Sequence, residues 1–139
     1  MSMSFREKSA AAILVTNVLV FGNYFLDNWD APVPHALWAF YKAVGVSISV
    51  LIAAHIAIAI YSHLRKEDPD AAADERDKMI DLFSIRNAHY VLLVGAWFIP
   101  MIALMQYPPL TVANTALAVL VASAIVLHGS QVAYYRFGV

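Results

Sequence analysis

The sequence predicts an all-α, polytopic membrane protein: a four-transmembrane-helix bundle with both termini on the cytoplasmic side. Three observations lead there. Hydrophobic residues make up 61% of the 139 and charged ones only 14%, whereas a soluble domain is nearer half apolar and a quarter charged. Mean hydropathy is +0.65, and a chain this short has too little interior to hide so much apolar surface, so lipid has to cover it. Finally, the few charges are bunched between long runs that are almost free of them.

Four such runs read as spans, at about 9–26, 36–64, 87–106 and 110–135. Each has at least the ~18 residues that a helix needs to approach or cross a ~30 Å hydrocarbon layer. The second and fourth exceed that need and are expected to tilt or project into the headgroups. Helices are the expected form, because lipid offers no partners to backbone polar groups. The spans make a single domain over residues 1–139. Arg6 and Lys8 ahead of the apolar run Ala10–Phe21 have the outline of a secretory signal. No small-x-small cleavage site follows, so the first span is expected to stay and act as its own targeting signal.

Charge sets the orientation. Arg6 and Lys8 precede the first span, Arg65, Lys66, Arg76, Lys78 and Arg86 lie between the second and third, and Arg136 follows the fourth, so eight of nine basic residues share one side. That side is expected to be cytoplasmic. Lys42 is the exception, near the opposite end of the second span, from which it can snorkel towards Asp27 or Asp30. Tyr24, Tyr41 and Tyr107 with Trp29 and Trp38 at outer ends, and Tyr61, Tyr90, Tyr134 and Tyr135 at inner ends, form the expected interfacial belts.

Residues 65–86 are the one sizeable polar segment. Pro69 ends the second helix, Asp70 is a candidate N-cap for the next, and Asp74 stands four residues before Lys78 as a supporting pair. Met79, Ile80, Leu82 and Phe83 give this helix an apolar strip, so it either lies along the membrane surface or extends the third span into the cytoplasm. Asp74, Glu75, Arg76 and Asp77 read either as a solvated helix start or as a docking face for a cytoplasmic partner.

Ser4-Phe5-Arg6-Glu7-Lys8 before the first span, Asp74-Glu75-Arg76-Asp77-Lys78-Met79-Ile80 in the central loop and the tail Tyr134-Tyr135-Arg136-Phe137-Gly138 resemble a family of short four-span bacterial inner-membrane proteins of unknown function. The resemblance spans nearly the whole chain. It implies the same topology and the same membrane, and it brings no activity with it.

Gly45, Ser49, Ala53 and Ala57 place small residues at every fourth position of the second span, the usual face for close helix approach in membranes. This stripe is expected to pack inside the bundle or against a second copy. Asn17, His55 and His128 each lie eight to ten residues from the basic residue at their helix end, or roughly 12–15 Å at ~1.5 Å per residue. They suggest a shared polar layer, with Gly95 leaving space at that depth on the third span. Polar groups there are costly unless paired. The layer reads either as interhelical hydrogen bonding or as a site at which His55 and His128 ligate haem b or move protons. His55 lies about 200° around the helix from Ala53 and so faces away from the stripe, which weakens the haem reading. The spacing of His55 from Tyr61 recurs between His128 and Tyr134, a hint of two hairpins related by an axis normal to the membrane. His35, His63 and His89 read as boundary residues, Asn114 as helix glue or the lining of an outward cleft, and Pro100 as a kink.

Net charge is −1 and there is no Cys, so charge gives no case for nucleic-acid binding and thiol chemistry is excluded. Membrane-embedded paired acids, a membrane-embedded Ser/His/Asp set and a His-x-x-x-His metal motif are all missing from the sequence. The expectation is a non-enzymatic protein without a cofactor. It would act by association in the bilayer, with itself or with another membrane protein as homo-oligomer or accessory subunit. The alternatives are a haem- or quinone-linked electron carrier and a small oligomeric transporter or channel lined by Asn17, His55, Asn114 and His128.

Overall fold

The structure is a computed structural model that describes residues 3–64 and 75–138. It consists of α1 (Phe5–Asn28), α2 (Val33–Leu64), α3 (Glu75–Leu104) and α4 (Pro109–Phe137), with no strand among the described residues. All four are long and apolar enough to cross a membrane. At 24 to 32 residues they measure roughly 36–48 Å at ~1.5 Å per residue, so each outreaches the hydrocarbon layer.

The helix boundaries follow from local chemistry. Ser4 caps α1, its Oγ accepting from the Glu7 backbone N–H at 3.2 Å, the side-chain cap that satisfies an orphan donor. Pro32 and Pro34 bracket the start of α2, and Ala36 N–H donates to the Pro32 carbonyl at 3.0 Å. Between α3 and α4 the chain turns on Gln106 at φ 60°. Pro109, at the first position of α4, has no N–H to leave unsatisfied. At the far end of α4, Gly138 takes φ +90° while its N–H closes on the Tyr134 carbonyl at 3.0 Å. Asp70 and Asp74 lie outside the described residues; Lys78 meets Glu75 instead, at 3.3 Å.

Of the two courses open to the segment before the third span, the chain takes the extension: α3 is one helix from Glu75 through Pro100 to Leu104. Helical hydrogen bonding does not stop where apolar composition does, so the polar first turns ride on the span behind them.

α1 and α4 form the central pair; α2 packs on α1, and α3 packs on α4. Among the described residues α2 and α3 make no extensive contact with each other. An axis relating the two hairpins would turn the α1–α4 contact into an α3–α2 contact, so the recurrent His-to-Tyr spacing does not reflect such symmetry. Glu7–Arg136 at 2.6 Å sets both termini at the same end.

The interior is built from small and polar side chains. Ala10, Ala36, Ala43, Ala88, Ser47, Ser62, Ser84 and Thr16 are buried, while Leu19, Trp97 and Leu104 are 65%, 78% and 84% exposed. Apolar bulk faces outward, as lipid requires, and small residues let helices approach. Among the glycines the tightest neighbour is met at Gly95, where an added Cβ would stand 2.5 Å from Val119 Cγ1. The room expected at Gly95 is taken up by Val119 of α4.

The buried residues of α2 are Ala36, Ala43, Ser47 and Ser62, on one face at helical spacing, and α1 is the helix that packs most extensively on α2. Gly45, Ser49, Ala53 and Ala57 lie on the other side, and all four are exposed. The expected placement of this stripe inside the bundle does not hold within the chain: the opposite face of the helix serves that purpose.

Candidate functional site

Polar residues gather at the end that carries the termini. Asp77 and Asp81 are one turn apart on α3, and His128, Gln131 and Tyr135 share a face of α4, so helical spacing presents both sets to the same groove. Arg6 on α1 reaches Asp77 at 3.5 Å and Asp81 at 4.0 Å. Tyr135 donates its hydroxyl to Asp77 Oδ1 at 2.9 Å, and Arg76 Nη2 donates to the Tyr135 carbonyl at 3.0 Å. Beside them the Glu7 carboxylate, buried to 7% exposure, accepts from Arg136 Nε. A carboxylate at that depth stays charged only when paired and hydrogen-bonded.

A second chain of bonds runs inward. Gln131 Nε2 donates to Asp81 Oδ1 at 2.9 Å, and Gln131 Oε1 lies 2.9 Å from His128 Nδ1. The amide oxygen can only accept, so His128 carries its proton on Nδ1. Phe5, Arg6, Ser9, Asp81, His128 and Gln131 face a cleft of about 330 Å³. On its α1 side Ser9 Oγ is 2.7 Å from His55 Nε2, and His55 Nδ1 donates to the Leu51 carbonyl at 2.8 Å. The carbonyl fixes the tautomer, and the Ser9 hydroxyl donates to Nε2. The arrangement joins neighbouring helices by neutral and charged bonds, and it leaves open the Nε2 of His128, which has no hydrogen-bond partner among the described residues.

The predicted layer is therefore met in part. His55 and His128 both flank the Ser9 turn of α1, yet each bonds to other groups. Asn17 is two turns further along and donates to the Ile13 carbonyl of its own helix at 2.9 Å. Of the candidate docking residues, Glu75 and Arg76 are exposed, Asp77 is turned inward to Tyr135 and Arg6, and Asp74 lies outside the described residues. Sequence reasoning missed Ser9, Gln131 and Asp81; the one-turn spacing of Asp77 and Asp81 was the available signal.

The opposite end is held by neutral groups. Buried Tyr24, read from sequence as a belt residue, donates to Asn114 Oδ1 at 2.9 Å. Asn114 Nδ2 donates in turn to the carbonyls of Asn28 and Trp29, each at 3.3 Å. Asn114 is thus helix glue between α4 and the end of α1, and it also faces an apolar groove of about 470 Å³ between α2 and α4.

No group of three His, Asp or Glu able to hold a metal occurs among the described residues. The family described as "Predicted membrane protein (DUF2178)" matches residues 8–138. No curated protein and no solved structure matches the chain.

Proposed function

The chain belongs to this family of predicted membrane proteins, whose function is unknown, and from that premise we propose that it is a non-enzymatic integral membrane component. It acts without a cofactor, by association with a second copy of itself. The observation that carries this reading is the bare far face of α2. Gly45, Ser49, Ala53 and Ala57 are all exposed on the side away from α1, and nothing approaches within 4 Å of the position a Cβ would take at Gly45. Lipid fills a small-residue stripe poorly, whereas a second helix packs into it. An equivalent helix of a larger membrane complex would fit the same face and make the chain an accessory subunit. The resemblance and the one-sided distribution of cations support a bacterial inner membrane with both termini in the cytoplasm.

The haem alternative draws less support, because Ser9 occupies the His55 Nε2 that axial ligation would use. The transporter alternative loses its shared lining, since Asn17, His55, Asn114 and His128 bond to separate partners.

The chain has no Cys, so single cysteines report cleanly. Ala53→Cys in native membranes should give a dimer with a short thiol cross-linker, and Trp97→Cys on α3 should not. Gly45→Leu should remove the Ala53→Cys adduct. Equal cross-linking at the two positions, or none at Ala53→Cys, overturns the proposal.

A further inference from the structure

At the end opposite the termini, α1 and α2 enclose a cleft of about 270 Å³ whose polar lining is Asn23, Asp27, Asn28, His35, Trp38 and Lys42. Two observations there call for a ligand. Lys42 was expected to snorkel to an acid, yet among the described residues it has no ion pair, although Asp27 lines the same cleft. Asp27 accepts one bond, from Asn23 Nδ2 at 3.2 Å, and pairs with no cation among the described residues.

The cleft also has a polarity. Asp27 and His35 sit near the helix ends and Val20, Ala43 and Val46 line it further in, with Lys42 at the boundary between them. That gradient matches a lipid, headgroup outward and acyl chains inward. We propose that the cleft binds the headgroup of an ethanolamine phospholipid. The phosphate lies against Lys42 and His35, and the primary ammonium donates to the Asp27 carboxylate. Choline carries no N–H to give to Asp27, and glycerol carries no cation to meet it, so neither of these headgroups forms the charged hydrogen bond.

The test is native mass spectrometry of the full chain released from nanodiscs. These contain equal parts of ethanolamine, choline and glycerol phospholipids with identical acyl chains. Charged hydrogen bonds discriminate by about tenfold, so the ethanolamine lipid should be retained about tenfold over either competitor. Asp27 and Lys42 are exposed positions, so both variants should fold normally; Asp27→Asn should bring the three lipids to parity, and Lys42→Gln, which loses the phosphate contact common to all three, should lower the retention of each alike. Equal retention in the unaltered protein overturns the proposal, and so does a preference that survives Asp27→Asn or a total retention that Lys42→Gln leaves unchanged. In a third arm, free O-phosphoethanolamine is added to the lipid-loaded protein in detergent. Failure to displace the lipid supports the assignment; displacement makes the cleft a solute site and overturns it.

Discussion

At the end bearing the termini, Arg6, Glu7, Asp77, Asp81 and Arg136 all find charged partners on other helices. At the opposite end Asp27 and Lys42 line one cleft and form no ion pair among the described residues, and the helices are joined there by the uncharged trio Tyr24, Asn28 and Asn114. The difference shows two solutions to one problem. Polar groups near or within lipid must be satisfied. One end satisfies its charges internally and thereby fixes α1, α3 and α4 against each other. The other fixes α1 against α4 with neutral bonds and leaves its charges available to what surrounds the protein.

If that contrast is right, removing one cation from the terminal end should cost most. Arg136→Gln strands the buried Glu7 carboxylate. A fully buried pair broken on one side costs about 3–5 kcal/mol; Arg136 itself is half exposed, so about 2–3 kcal/mol is expected. Glu7→Gln, which leaves no stranded charge, should cost less. Thermal unfolding in detergent measures both. An Arg136→Gln protein that melts with the unaltered one would show that the ion pair holds nothing together.

Asn114→Ala tests the other end. It takes the acceptor from Tyr24 and the donor from two carbonyls, and Asn114 is only 2% exposed. The expected loss is about 1–2 kcal/mol, insensitive to salt because no charge is involved. A loss exceeding that of Arg136→Gln would reverse the ranking of the two ends.

The architecture was legible in the sequence because it depends on the length of apolar runs, a property of each segment alone. The rotation of His55 away from Ala53 was legible too, since helix geometry fixes it. What failed depended on neighbours. Asn17 was placed with the histidines by counting from the charge at each helix end, which assumes that all helices start at one level. In the fold, Ser9 and not Asn17 stands opposite His55. Tyr24 looked like a belt residue because its distance from the helix end is legible from sequence, whereas the side it turns to α4 is not. Gly95 reads as space until Val119 is known to lie across from it.

Between the two ends lies the smallest effect. Ser9→Ala removes the hydroxyl that donates to His55 Nε2 while leaving the Leu51 carbonyl on Nδ1. Interhelical side-chain bonds in membranes average about 0.6 kcal/mol, because the separated helices also find partners. A loss of about that size is expected, within reach of a chemical-denaturant titration in mixed micelles. His55 is half-buried and faces the same turn of α1 as the cleft, so water can replace the lost donor. A loss of about 2 kcal/mol or more would mean that water cannot enter there, and that this turn belongs with the tightly held end. No loss would mean that α2 is held to α1 by its small residues, the Phe40–Tyr24 ring contact and Tyr61 beneath Lys8, without help from this bond. It would then be the helix freest to exchange its neighbour for one from a second chain.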